Sequence, residues 1–226
     1  MDRLNGAQSN SRSFHLLNQL DYVINEAKKD KNINFEKDWK IMTILMGAND
    51  LNNCNDPTSI PNAYEVKINQ TIAAIHEKIP RVFINLLLLP EQATLDTYNV
   101  GKESTYCRTI WNIITWFKDQ CMFKSDETRL KLKQLTLEYN KRIENIKTFW
   151  NSKRRKDFFV TVQPMLQKSR VPDRSWSTKL DCFHPSIKAN KFFSISLWNS
   201  LQLPSEKKPN QLVEDYICPN ENTFLQ

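Results

Sequence analysis

Three short apolar runs constrain this chain most, each closed by glycine or proline and separated from the next by stretches too long for a hairpin turn. Trp39–Met46 ends at Gly47, Arg81–Leu89 at Pro90, and Phe158–Val162 at Gln163-Pro164. Runs of this length read as strands, and their near-continuous hydrophobicity predicts strands covered on both faces. The intervening segments have helical spacing instead. Leu16, Leu17, Leu20, Val23 and Ile24 form one stripe, Ile68, Ile72, Ile75 and Ile79 a second, and Ile110, Ile113, Ile114 and Phe117 a third. A longer stripe runs from Leu130 to Ile146, and another through Phe192, Phe193, Ile195 and Leu197. Strands alternating with helices imply βαβ units, hence an α/β fold: a three-layer α/β/α sandwich around a parallel sheet. The first element is a helix, where doubly wound domains usually begin with a strand. Either the sheet is small or its first strand is missing from these residues.

Composition removes several alternatives. With 226 residues, 40% hydrophobic and 25% charged, the chain has the make-up of one globular domain. Only three glycines occur, at Gly6, Gly47 and Gly101, so no glycine-rich nucleotide loop can be built. Gly101 reads as part of a polar loop without a role. No apolar run reaches the ~18 residues of a membrane span, and the first residues lack the apolar core of a signal peptide. The net charge of +7 is diffuse. Its densest clusters, Lys28-Lys29-Asp30-Lys31 and Lys153-Arg154-Arg155-Lys156, follow helical stretches and read as solvated helix ends. A nucleic-acid partner would rest on charge alone, so none is expected. The five cysteines show no C-x-x-C spacing, so neither a metal site nor any cofactor is expected; Cys107 and Cys121 flank a short apolar segment and can close a loop. Residues 1–203 read as the domain, Gln163–Leu180 as a polar loop within it, and 204–226 as a loose C-terminal extension.

In parallel sheets ligands bind at the carboxyl ends of the strands. After the first run stands Gly47-Ala48-Asn49-Asp50, where glycine permits a tight turn and the Asn49 amide can donate into a cleft. After the third run and its loop stands Asp181-Cys182-Phe183-His184-Pro185. A carboxylate and an imidazole three residues apart can converge, the histidine as general base and the aspartate holding its tautomer. His15 and His76, within helical stretches, read as structural.

These two motifs, in this order, resemble the third and fifth blocks of the GDSL, or SGNH, lipase/esterase superfamily. Further matches resemble the hydrolase repeats of the membrane-associated phospholipase B family: Glu36–Lys40 leading into Gly-x-Asn-Asp-Leu, Ile79–Leu86, Asp157–Pro164, and Leu197-Trp198-Asn199. The resemblance spans Leu4 to about Cys218 and implies the SGNH-hydrolase, flavodoxin-like sandwich. It further implies Asp181 and His184 as triad acid and base, Asn49 and the Gly6 N–H as oxyanion donors, and Gly47 and Asp50 as the turn of the third block. The family sets its nucleophile in a Gly-Asp-Ser after the first strand. No Gly-Asp-Ser and no Gly-x-Ser-x-Gly occurs here, and Ser9 and Ser11 lie just past Gly6 on the way into the first helix. Where the family has two cysteines after Gly-x-Asn-Asp-Leu, this chain has Asn52-Asn53-Cys54.

The resulting expectation is a phospholipase B-type domain acting on (lyso)phospholipid esters at a membrane surface. It is monomeric, extracellular or plasma-membrane-associated in its full-length form, and a fragment lacking its first strand and nucleophile, inactive as it stands. The alternative is a pseudoenzyme that binds lipid or a protein partner. Asn69-Gln70-Thr71 is a sequon and marks Asn69 for glycosylation.

Overall fold

The computed structural model describes residues 4–53, 56–117 and 120–225, the side chain of Phe117 excepted. The three apolar runs form strands β1 (Lys40–Ile44), β2 (Val82–Leu87) and β3 (Phe158–Gln163). All pair in parallel in the order β1-β2-β3, with Met42 opposite Ile84 and Ile84 opposite Val160. The helices are α1 (Leu16–Lys29), α2 (Ala48–Asn52), α3 (Pro61–Lys78), α4 (Ala93–Gly101), α5 (Thr105–Phe117), α6 (Asp126–Asn151) and α7 (Ile187–Leu201). Local chemistry sets several of their starts. Pro61 opens α3, where its missing N–H costs nothing. The Ser125 hydroxyl accepts from the Thr128 N–H at 3.1 Å to cap α6, and Ser186 does the same for α7 through Ala189 at 3.3 Å.

The main core lies on one face of the sheet. Leu20 and Ile24 of α1, Ile68, Ile72 and Ile75 of α3, and Tyr139, Ile143 and Ile146 of α6 pack there against Ile84, Leu86, Val160 and Val162. Each fully buried isoleucine contributes roughly 1.5–3 kcal/mol. The other face is covered unevenly. Leu87, Met165 and Leu166 pack against Phe193 and Leu197 of α7 and against Leu212. β1 receives no such cover, and Ile41 and Leu45 are about half exposed on that side. The expectation of strands covered on both faces therefore holds for β2 and the carboxyl-terminal half of β3 and fails for β1, one of the two edges of this sheet.

Three readings are revised. Gly101 is the buried last residue of α4, where an added Cβ would meet the Trp111 indole at 2.3 Å; close packing, not a loop, requires the glycine. Within Gln163–Leu180, Met165, Leu166 and Ser169 are buried, so the segment is a packed connection. The stretch after Pro204 is strapped down as well. Lys208 is buried, with its ammonium donating to Gln163 Oε1 and the Ser200 carbonyl, each at 3.0 Å. The Val213 N–H donates to Ser196 Oγ at 2.9 Å, and the Ile217 N–H to Asn199 Oδ1 at 2.7 Å. Polar groups along α7 hold the segment that composition alone marks as a tail.

Candidate active site

At the carboxyl end of β1, Gly47 adopts φ 124°, which disfavours any side chain. An added Cβ there would also meet Leu89 Cδ1 at 2.9 Å and the rings of Tyr64 and Tyr139 at 3.2 and 3.3 Å. Those two rings stack with centroids 3.9 Å apart, and the Tyr64 hydroxyl donates to the Met46 carbonyl at 3.0 Å. The chain then enters α2 directly, so the predicted turn is a short helix beginning at Ala48. Asp50 is buried and points back into the protein. Its carboxylate accepts from Ser13 Oγ at 2.5 Å and from the Ser13 N–H at 3.0 and 3.2 Å. Burial raises the Asp50 carboxyl above its ordinary value, and the Ser13 bonds hold it down only in part. Asn49 donates one amide hydrogen to the Ser11 carbonyl at 2.9 Å. Its second amide hydrogen has no hydrogen-bond partner among the described residues. Gly6, Ser11, Gly47 and Asn49 all line one cavity of about 540 Å³ that runs along the edge of β1 beside α1.

The second motif forms a separate, tightly tied loop. Asp181 Oδ1 accepts from Thr178 Oγ1 at 2.6 Å, the Phe183 N–H at 2.9 Å and the His184 N–H at 3.0 Å. Asp181 Oδ2 meets His184 Nδ1. Burial pushes the Asp181 carboxyl up, but donors from Thr178, His184 and the Phe183 N–H outweigh it and hold it at about 2. The aspartate therefore stays ionised at neutral pH. Nδ1 is engaged, while Nε2 carries no hydrogen bond among the described residues on a side chain 68% exposed.

The supports of this loop were not legible from sequence. Cys182 has φ 59°, a left-handed conformation costing roughly 1–2 kcal/mol outside glycine. It is bridged to Cys107 of α5, with Cα atoms 5.6 Å apart across a sequence separation of 75. The expected Cys107–Cys121 pairing is thus corrected: α5 packs on the Asp181 loop, while Cys121 is buried in the short turn before α6 and is itself disulfide-bonded. Cys54 lies outside the described residues. The Arg174 guanidinium closes the arrangement, donating to the carbonyls of Ser177 at 3.1 Å and Thr178 at 2.7 Å while contacting both bridged sulfurs. Trp111 Nε1 donates to the Asp181 carbonyl at 3.0 Å, and the Tyr106 hydroxyl to the Leu180 carbonyl at 3.1 Å.

Gly6, Gly47 and Asn49 are therefore brought to one cavity, whereas Asp181 and His184 are paired outside its lining. The turn before α6 joins the two. Asn52 of α2 donates to Gln120 Oε1 at 2.6 Å, and Phe123 meets Phe183 edge-on with centroids 6.1 Å apart. Asn69 is displaced from the surface loop a sequon favours. It lies within α3, its Oδ1 accepts from Trp150 Nε1 at 3.1 Å, and Thr71 is buried with its hydroxyl bound to the Lys67 carbonyl. His76 packs its ring against Trp150 and Phe158, and His15 Nδ1 accepts the Arg12 N–H at 3.0 Å, both structural contacts. Among the described residues no three His, Cys, Asp or Glu side chains converge as metal ligands, and no helix is long and apolar enough to cross a membrane.

A family model described as GDSL-like lipase/acylhydrolase matches residues 3–196. Human membrane-associated phospholipase B1 is 31% identical over 236 residues, covering 96% of this chain and 16% of that protein. The rat protein of the same name is 30% identical over 236 residues, covering 98% of this chain and 16% of its own length. No solved structure matches significantly.

Proposed function

Since the chain belongs to the GDSL-like lipase/acylhydrolase family, we propose that it is a phospholipase B-type module for hydrolysis of (lyso)phospholipid esters, with His184 as general base and Asp181 as its partner. The observation that carries this reading is the Asp181–His184 contact. It commits Nδ1 to the carboxylate and leaves Nε2 to take a proton from an attacking hydroxyl and return it to the leaving alcohol. Asn49 and the Gly6 N–H serve as donors to the tetrahedral oxygen, each worth about 3–4 kcal/mol in the transition state. Their shared cavity at the edge of β1 supports that role, since a donor set must be preorganised.

The chain spans 16% of the length of these relatives, and no serine in it stands in a Gly-Asp-Ser setting. By itself it is expected to hydrolyse no ester and to take no label from a serine-reactive phosphonate, the oxyanion donors alone leaving only a small residual acceleration. The decisive experiment adds a strand ending in Gly-Asp-Ser ahead of Leu4. The folded chimera should then accept the phosphonate and hydrolyse lysophosphatidylcholine, and His184→Ala should remove both. A folded chimera that does neither refutes the assignment.

A further inference from the structure

Single exposed apolar side chains are ordinary, but several of them flanking one acid-paired histidine are not. Ile187 is 90% exposed and Leu180 79%, and they stand three residues after and four before His184. Tyr106 extends the patch onto α5, since its hydroxyl is bonded to the Leu180 carbonyl. Along α5, Tyr106, Ile113 and Trp116 follow at steps of seven and three residues, which keeps them on one side of the helix. All three are exposed, Trp116 at 82%. The opposite side of α5 holds Cys107 and Trp111, buried against the Asp181 loop.

Charge says what this surface suits. α5 contains Arg108 and no acidic residue. Around the patch, Arg108, Lys179, Lys188 and Lys191 are exposed, against Glu103 and an Asp173 that lies 4.0 Å from Lys188. An amphipathic helix with tyrosine and tryptophan on its outer side and cations at its margin matches the apolar–polar boundary of a negatively charged bilayer.

We propose that the outer side of α5, together with Leu180 and Ile187, docks on an anionic phospholipid bilayer and presents His184 to the head groups. The docking takes its occupant from the hydrolase reading but needs no chemistry, so the two can fail separately. The test is co-sedimentation of the chain with vesicles of phosphatidylcholine and phosphatidylserine in equal parts, and with phosphatidylcholine alone. The chain should partition preferentially onto the mixed vesicles. Leu180→Ser with Ile187→Ser should weaken that partitioning about tenfold, and Trp116→Ser several-fold. Thermal melting of the Leu180/Ile187 variant should be unchanged, because those two side chains are exposed. Lys153→Glu with Lys156→Glu, at the other end of β3, should bind as the parent does. Undiminished binding by the Leu180/Ile187 variant overturns the proposal. So does loss of binding in the Lys153/Lys156 variant, or a dimer in sedimentation that the Leu180/Ile187 variant dissociates, which would assign the surface to a second copy. Vesicle binding with a silent chimera would refute the hydrolase reading and leave the docking intact.

Discussion

Replacing Asp181 by Asn tests whether the loop stores stability in the charge of that carboxylate. The exchange keeps an oxygen able to accept from Thr178 and from the Phe183 and His184 N–H groups; it removes the negative charge and puts an amide donor where the oxygen faces His184 Nδ1, which the ring meets by presenting Nδ1 as an acceptor. The gap between the ordinary 3.8 and about 2 corresponds to ~2.4 kcal/mol. With the side chain 21% exposed, solvent screening reduces this to about 1 kcal/mol. Because the folded-state value is depressed, the unfolded chain binds the proton more readily between pH ~4 and ~2. Stability from this group is complete above pH ~4 and lost as pH falls through ~2. The assay is urea unfolding of both chains at intervals from pH 7 down to 2. The parent should exceed Asp181→Asn by about 1 kcal/mol at pH 7, and the difference should close across that acid window. A pH-independent difference, or none at pH 7, refutes the electrostatic reasoning.

Other perturbations follow from the same structure. Burial, aided by the positive charge of Lys147, lowers Lys208 to about 8, so its unfolded form binds more protons up to ~10.5 and stability should rise by at most ~3 kcal/mol over that range; Lys208→Met should abolish the rise in a pH series of unfolding curves. Gly47→Ala should cost about 2–4 kcal/mol in urea unfolding, since it forces an alanine to positive φ and against Leu89, and a loss below ~1 kcal/mol would contradict the contact geometry. Cys107→Ser with Cys182→Ser releases a cross-link closing 75 positions and should lower stability by ~4 kcal/mol; an unchanged midpoint would mean the bridge constrains nothing.

Elements whose signal is local were legible in the sequence. The three apolar runs became strands, the first two shorter by three residues and the third longer by one, and Asp181 and His184 converge because a tight loop keeps residues three apart together. Features decided by distant contacts were not. Cys107 finds Cys182 only because α5 lies on the Asp181 loop, which no spacing encodes. α4 carries too few apolar positions to show a stripe, and the glycine closing it is there for the Trp111 ring. Lys208 reads as a solvated lysine until Gln163 and Ser200 are seen to receive it. Asn69 reads as a sequon until Trp150 takes its carbonyl. In the last two cases a polar residue that sequence statistics place outside is drawn in by a partner remote along the chain.

The loop delivers an imidazole whose Nδ1 is held by Asp181 and whose Nε2 carries no hydrogen bond among the described residues. Long-range ¹⁵N–¹H correlation of the neutral His184 ring in the folded chain reads the tautomer directly. Nδ1 should be protonated and Nε2 unprotonated, with that preference lost in Asp181→Ala. A ring protonated on Nε2 in the parent chain would contradict it.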